Sequence, residues 1–118
     1  MANNALYTMK VVGERNNVDA FIRAMKWQGE YAEQGVGRVF EAYVFEQEED
    51  YAMIEGDCAW SVFSAMRQGT NPHNIEQLSK RLNLSIEVYC EESGFAFQEH
   101  FLVTNGVVAI DECVDWDE

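Results

Sequence analysis

The hydrophobic and polar positions of the chain predict six β-strands. The most regular alternation places Leu84, Ile86, Val88 and Cys90 on one side of a strand and Ser85, Glu87, Tyr89 and Glu91 on the other. Alternate side chains of a strand point to opposite faces of a sheet, so one row is expected in the core and the other outside it. Apolar, β-prone composition predicts five further strands over residues 5–12, 39–46, 51–58, 95–104 and 107–113.

Helical spacing of apolar residues predicts two helices between these strands. Apolar positions from Val18 to Met25 follow the i, i+3, i+4, i+7 pattern of an amphipathic helix, which is expected to end near Gly29. Residues 74–82 show the same spacing and predict the second helix. A short helical segment is also predicted over residues 60–66.

The order of these elements predicts an α+β fold class, a ferredoxin-like antiparallel sheet with two helices packed on one face and an extra C-terminal strand. Asn105 and Gly106 predict a tight hairpin before that strand, because both central residues of a type I′ turn need positive φ. Residues 1–118 are expected to form a single ferredoxin-like domain with a short acidic C-terminal tail. The tail carries Asp111, Glu112, Asp115, Trp116, Asp117 and Glu118.

Charge narrows the classes of partner. The chain has 21 acidic residues against 8 Lys and Arg, a formal net charge of −13. Direct binding to nucleic acid is therefore disfavoured, because phosphate backbones are repelled, whereas basic protein surfaces are attracted. Residues 14–28 and 61–83 carry six bases and three acids, so the negative charge is concentrated on the predicted strands and turns.

Strand alternation places several of these acids, with aromatic residues between them, on one sheet face. The predicted partner-binding residues are Glu41, Tyr43, Glu55, Asp57, Glu87, Tyr89 and Glu91, with Glu99 and Asp111 nearby. Carboxylates interleaved with rings could dock an Arg- and Lys-rich surface, by charge and by stacking of guanidinium groups on the rings. The alternative is that these side chains form only a solvated surface.

No motif predicts catalysis. Cys58, Cys90 and Cys113 lack metal-binding spacing, and His73 and His100 neighbour no nucleophile motif. We therefore expect no catalytic residue, no cofactor and no metal, and we do not expect an enzyme. The odd number of unpatterned cysteines and the lack of a signal peptide favour the cytoplasm, and no apolar run approaches the roughly 20 residues of a membrane span.

A family resemblance appears in the second half of the chain. The resemblance rests on five segments in this order. They are Asp57-Cys58-Ala59-Trp60-Ser61, the predicted helical sequence of residues 75–82, the predicted strand of residues 84–92, Gly94-Phe95-Ala96 and Asn105-Gly106. In this order the segments resemble the YubB-like ferredoxin-fold family of plasmid and phage proteins, over about residues 53–112. The resemblance implies a ferredoxin-like fold and an origin on a mobile element, and it implies no catalytic residue.

Three functional hypotheses follow. The first is a non-enzymatic acidic binding protein, encoded by a phage or plasmid, that docks on a basic surface of a host protein. Such a host protein could be a nucleic-acid-handling or defence protein, and the docking chain an inhibitor or nucleic-acid mimic. The second is a small-ligand-binding protein or enzyme with a pocket near Trp60 and His73. The third is a structural module that forms homo-oligomers through an exposed strand edge.

Overall fold

Six antiparallel strands form one sheet in the order β2-β3-β1-β4-β5-β6. The computed structural model describes residues 4–26, 36, 39–59, 61–67, 73–92 and 97–115. The strands are β1 (Asn4–Val12), β2 (Val39–Gln47), β3 (Tyr51–Ala59), β4 (Ser85–Glu92), β5 (Phe97–Thr104) and β6 (Val107–Asp115). The helices are α1 (Arg15–Met25) and α2 (Ile75–Leu82), and a π-helical turn spans Phe63–Arg67.

The two faces of the sheet differ in burial. In β1 the buried residues Ala5, Tyr7, Met9 and Val11 alternate with Leu6, Thr8, Lys10 and Val12, which are exposed. The predicted alternation in β4 is confirmed, since Ile86, Val88 and Cys90 are buried on the same side as the buried row of β1. We call the buried side the helix face, and the side that carries Leu6, Thr8, Lys10 and Val12 the open face.

Both α-helices cover the helix face. Helix α1 contacts β2 and β3, and α2 contacts β4, β5 and β6. Val18, Phe21 and Met25 of α1 and Ile75 and Leu78 of α2 are buried in the core, as their helical spacing predicts. The apolar faces of the helices therefore close the core against the sheet.

The beginning of α2 agrees with the sequence prediction, and the beginning of α1 does not. Helix α2 is confirmed, and its N-cap Asn74 accepts a hydrogen bond of 2.9 Å from the backbone N–H of Gln77. Helix α1 begins at Arg15, earlier than the predicted Val18, and its N-cap Glu14 makes no side-chain capping bond. Residues 27–29, where its end was predicted, lie outside the described residues.

The predicted fold class is wrong. The structure is a six-stranded antiparallel sheet with only short helices, not a ferredoxin-like α+β domain built on two helices with one extra strand. Strands β5 and β6 both extend the sheet beyond β4, so the sheet has six strands while the two helices have only 11 and 8 residues. Periodicity predicted the elements separately, but pairing of strands is a long-range property that periodicity does not carry.

The structure also differs from the predicted acidic tail, because the last strand extends to Asp115. Asp111 and Glu112 lie in β6, within the strand predicted over residues 107–113, and Asp115, which was predicted to lie in the acidic tail, is the last residue of this strand. Residues 116–118 lie outside the described residues. The short helix predicted over residues 60–66 is observed as the π-helical turn.

A buried serine joins the end of α2 to the β5–β6 hairpin. The hairpin turn has Asn105 at φ 51° and Gly106 at φ 82°, as the type I′ prediction requires. The Gly106 N–H donates to Ser79 Oγ at 3.0 Å, and Ser79 Oγ donates to the Leu84 carbonyl at 2.7 Å. A Cβ on Gly106 would lie 2.8 Å from Lys80 Cβ, so only glycine fits between the turn and the helix.

We predict that Gly106→Ala lowers the free energy of unfolding by about 1–3 kcal/mol, because it combines a left-handed backbone with a close contact to Lys80. Urea denaturation followed by circular dichroism measures the change. The neighbouring Val107→Ala is the control, since Val107 is exposed and its truncation should change stability by less than about 0.5 kcal/mol. Equal stability of the Gly106→Ala protein and the wild type would contradict this account of the turn.

Candidate acidic groove on the open face of the sheet

The open face contains a concave depression of about 990 Å³, which we call the acidic groove. All six strands contribute residues to its lining. Leu6 and Thr8 of the central strand β1 form its floor, with longer side chains on both sides. On one side are Tyr43 of β2 and Glu55 of β3, which pair with each other across the strands. The other side begins with Tyr89 of β4, which lies opposite Thr8.

Carboxylates line the groove on both sides of its floor. Those of the open face are Glu41, Glu55 and Asp57 on the β2–β3 side and Glu91 and Glu112 on the β4–β6 side. Glu87 lies one row further along β4, beside Lys10. Their proximity on one surface creates a negative potential that attracts cations and repels anions.

Basic side chains are nearly absent from this face within the described residues. Lys10 is the only Lys or Arg there, and its ammonium group lies 5.1 Å from the centre of the Tyr51 ring, outside the groove lining. The described ion pairs of Arg side chains join Arg15 to Asp19 and Arg67 to Glu76 and Asp111, all away from the open face. The groove is therefore not neutralised by the Lys and Arg side chains that the structure describes.

The wall formed by β2 is held in place by a buried tyrosine. The Tyr7 hydroxyl donates to the Glu41 carbonyl at 2.7 Å, and a Cβ on Gly56 would lie only 2.0 Å from the same oxygen. The absence of a side chain at Gly56 thus lets β2 approach β3 closely, next to a register shift between Val39 and Glu41. Burial raises the pKa of Tyr7 well above its usual value, with contributions from Cys58 and Asp57.

A stacked pair of rings forms part of the opposite wall. Tyr89 and His100 stack with ring centres 4.2 Å apart and planes 12° from parallel. His100 Nε2 lies 2.8 Å from Glu87 Oε2, and its Nδ1 lies 3.9 Å from Glu112 Oε1. The imidazole is therefore fixed between two carboxylates, and it supports one face of the exposed Tyr89 ring.

Tyr51 lies on the same face but outside the groove. Its hydroxyl donates to Glu46, and this hydrogen bond is the main reason why the pKa of Tyr51 rises to about 12. With Lys10 over its ring, Tyr51 already has both a carboxylate and a cation as neighbours. A substitution of Tyr51 therefore removes a ring from the same face without changing the lining of the groove.

Most of the predicted partner-binding residues come together on the open face. They are Glu41, Tyr43, Glu55, Asp57, Glu87, Tyr89 and Glu91, and all except Glu87 line the acidic groove. The prediction that these carboxylates share a solvent-facing surface thus agrees with the geometry.

Glu99, which was predicted to lie near the open face, contributes to the lining of the acidic groove, but its position in β5 belongs to the helix face. Phe101 and Val103 are buried, so strand alternation puts Glu99 on the helix face with them. Its carboxylate accepts hydrogen bonds from the backbone N–H groups of Val62 and Phe63, at 2.8 and 3.2 Å. Glu99 therefore caps the segment that leads into the π-helical turn, which is a structural role.

Asp111 is on the helix face because of a β-bulge. A regular two-residue hairpin would place Asp111 opposite His100, on the open face. The register shifts by one residue between Leu102 and Val103, so Asp111 lies opposite Phe101 and Glu112 lies opposite His100. A shift of one residue exchanges the two faces of a strand, which explains both the error and the missed Glu112.

Asp111 binds Arg67 on the helix face. Arg67 Nη1 and Nη2 lie 2.9 and 3.3 Å from the two Asp111 oxygens, and Nε lies 3.1 Å from Glu76 Oε2. The guanidinium carbon lies 3.9 Å from the centre of the Phe101 ring. The Arg67 side chain is only 10% exposed and the Asp111 side chain 57%, so the pairing joins β6, α2 and the π-helical turn through a guanidinium that is buried on one side.

The pocket predicted near Trp60 and His73 is not where the larger concave surface lies. Trp60 is outside the described residues. His73 lines a depression of about 290 Å³ between α1 and α2, together with Arg23 and Arg81. This depression is less than a third of the volume of the acidic groove and lies on the helix side of the sheet.

Two of the three cysteines are buried, and the third, Cys113, is exposed. Cys58 and Cys90 are buried, and a hydrogen bond between them together with burial raises the pKa of Cys90, which keeps this thiol protonated. In the described residues, His, Cys, Asp and Glu side chains form no group of three or more that could hold a metal ion. Neither α1, α2 nor the π-helical turn has the length and apolar character needed to cross a membrane.

Comparison of the chain with protein-family profiles, with curated proteins and with solved structures finds no match.

Some residues of the groove were not predicted from sequence. They are Leu6, Tyr7, Thr8, Gly56, Cys90, Gln98, His100, Glu112 and Val114. The alternation in β5 could have predicted His100. Phe101 and Val103 have the apolar character of core residues, so their neighbour His100 must point to the opposite face. Leu6 and Thr8 required the knowledge that β1 is a central strand, because only then do neighbouring strands supply walls on both sides of them.

We predict that Tyr7→Phe lowers the free energy of unfolding by about 1 kcal/mol at neutral pH, because the Glu41 carbonyl loses its donor. A raised folded-state pKa stabilises the protein fully below the unfolded pKa of about 10, and this contribution is lost as the pH rises further. Urea denaturation between pH 8 and 11 should therefore show a steeper alkaline loss for the wild type than for the variant. Parallel pH profiles would contradict the assignment.

Proposed function

We propose that this protein is a non-enzymatic binding protein whose acidic groove docks on a basic surface of another protein. The observation that carries the proposal is the grouping of carboxylates on both sides of the groove floor, on a face where Lys10, outside the groove lining, is the one Lys or Arg among the described residues. Complementary charge steers a basic partner to such a surface and disfavours acidic ones. The exposed rings of Tyr43 and Tyr89 add contact area that suits protein partners.

The chemistry of the groove also suggests which basic surfaces fit. A row of carboxylates at strand spacing presents negative charge in a way that a protein surface built for phosphate groups would accept. We therefore propose a nucleic-acid-handling or defence protein as the host partner, with this chain as inhibitor or nucleic-acid mimic. The proposed setting, a phage or plasmid protein in a bacterial host, rests only on the family resemblance of residues 53–112.

We predict that immobilised protein recovers a basic protein from bacterial lysate at low ionic strength and releases it at high ionic strength. The double variant Glu55→Gln/Glu91→Gln should bind that protein at least about tenfold more weakly, because it removes a carboxylate from each side of the groove. Both substitutions preserve side-chain size.

The matched control is Glu14→Gln/Glu49→Gln, which has the same net charge. Glu14 precedes α1 and Glu49 lies in the β2–β3 turn, and both are exposed and outside the groove. The control should bind like the wild type. Recovery of no basic protein, or equal weakening by both double variants, would contradict docking through the groove.

A second candidate is binding of a small organic cation in the same groove. Its volume of about 990 Å³ is at the upper end of the range for small-molecule sites, which favours this alternative. Calorimetric titration with a polyamine such as spermidine separates the two candidates. Tight one-to-one binding that resists high salt favours the small ligand, whereas weak, salt-sensitive binding favours a protein partner.

A further inference from the structure

The chain itself shows how its sheet binds a guanidinium group. On the helix face, Arg67 stacks on Phe101 of β5 and forms a bidentate pair with Asp111, which lies opposite Phe101 on β6. The guanidinium carbon thus lies over an aromatic ring, at 3.9 Å from its centre, while two of the guanidinium nitrogens bind one carboxylate. Planar stacking and paired hydrogen bonds are the two contacts that an arginine makes best.

The open face repeats these components next to the groove floor. Tyr89 stacks on His100, and His100 lies opposite Glu112 on β6, in the next row of the same two strands. Among the described residues, the cation–π contacts involve the rings of Tyr51, Phe63 and Phe101 but not Tyr89. The Tyr89 ring is 54% exposed, so it is accessible from outside the chain.

The accessible side of the Tyr89 ring faces the groove. His100, on β5, covers one side of the ring, so the other side is turned toward β1, where Thr8 is the cross-strand neighbour. Beyond Thr8 in the same row is Glu55, and Glu91 is the next residue of β4 on this face. A planar cation above Thr8 would therefore have a ring beside it and carboxylates at its edges.

We propose that the acidic groove binds an arginine side chain of its protein partner, with the guanidinium stacked on Tyr89 above Thr8 and hydrogen-bonded to Glu55 and Glu91. This inference rests on the proposed docking function and specifies its partner. Lysine would satisfy the charge of the groove but not the flat stacking contact or the paired hydrogen bonds, because its ammonium group is a compact point charge. The groove therefore selects arginine-rich over lysine-rich surfaces.

The test compares fluorescein-labelled octa-arginine and octa-lysine peptides by fluorescence anisotropy at low ionic strength. The peptides have equal length and charge, so a general electrostatic attraction binds both equally. We expect octa-arginine to bind about tenfold more tightly, the ratio that corresponds to about 1.4 kcal/mol of additional stacking and hydrogen bonding.

Variants of Tyr89 identify the ring as the cause. Tyr89→Leu should abolish the preference, so that octa-arginine and octa-lysine bind this variant equally, whereas Tyr89→Phe, which keeps the ring, should retain the preference. Tyr51→Leu is the control, since Tyr51 is on the same face but outside the groove. Thermal melting of each variant confirms that it is folded.

The outcomes separate the two proposals. Equal, salt-sensitive binding of both peptides would overturn arginine selection and leave the docking function standing. Persistence of the arginine preference in Tyr89→Leu would overturn the assigned position of the guanidinium. Binding of neither peptide would overturn the docking function, and arginine selection with it.

Discussion

The position of β1 at the centre of the sheet determines both the core and the groove. β1 pairs with β3 on one side and β4 on the other, and Ala5, Tyr7, Met9 and Val11 are almost completely buried. Burial of this row fixes the strand register, because a slip of one residue would expose the row. The alternate row, with Leu6 and Thr8, must then face outward. Since longer side chains flank this row on β2–β3 and β4, the centre of the open face becomes concave.

The sequence predicted the elements more successfully than their assembly. All six strands and both helices are present near their predicted positions, because periodicity and the Asn105-Gly106 turn are local signals. The fold class was wrong because strand pairing over long distances decides how far a sheet extends. At the groove the errors have separate causes: Glu99 contradicts the apolar alternation of β5, and Asp111 changes face at a bulge that no local pattern reveals.

The fold places most of the described basic residues on the helix side of the sheet and a group of carboxylates on the open face, and this separation lowers the stability of the folded state. Arg15, Arg23, Lys80 and Arg81 are on the helices, where they accompany the few acids of that side, while the open face groups its carboxylates in the groove, away from Lys10. Like charges held close together destabilise the folded state. The core and the Tyr7 hydrogen bond to Glu41 must offset this repulsion, and a basic partner would relieve it by neutralising the same groups.

The apolar residues of the groove favour a long basic side chain over a simple ion as occupant. Leu6 is 61% exposed at the floor, and Val114 is exposed at the β6 side of the same depression. A hydrated metal ion gains nothing from such contacts, whereas arginine combines a charged end with a three-methylene stem that can cover apolar surface. In the proposed docking, carboxylates at the walls and apolar atoms in the same depression would contact different parts of one side chain. A partner that presents arginine from a folded surface satisfies both, because burying Leu6 contributes favourably while the guanidinium stays paired.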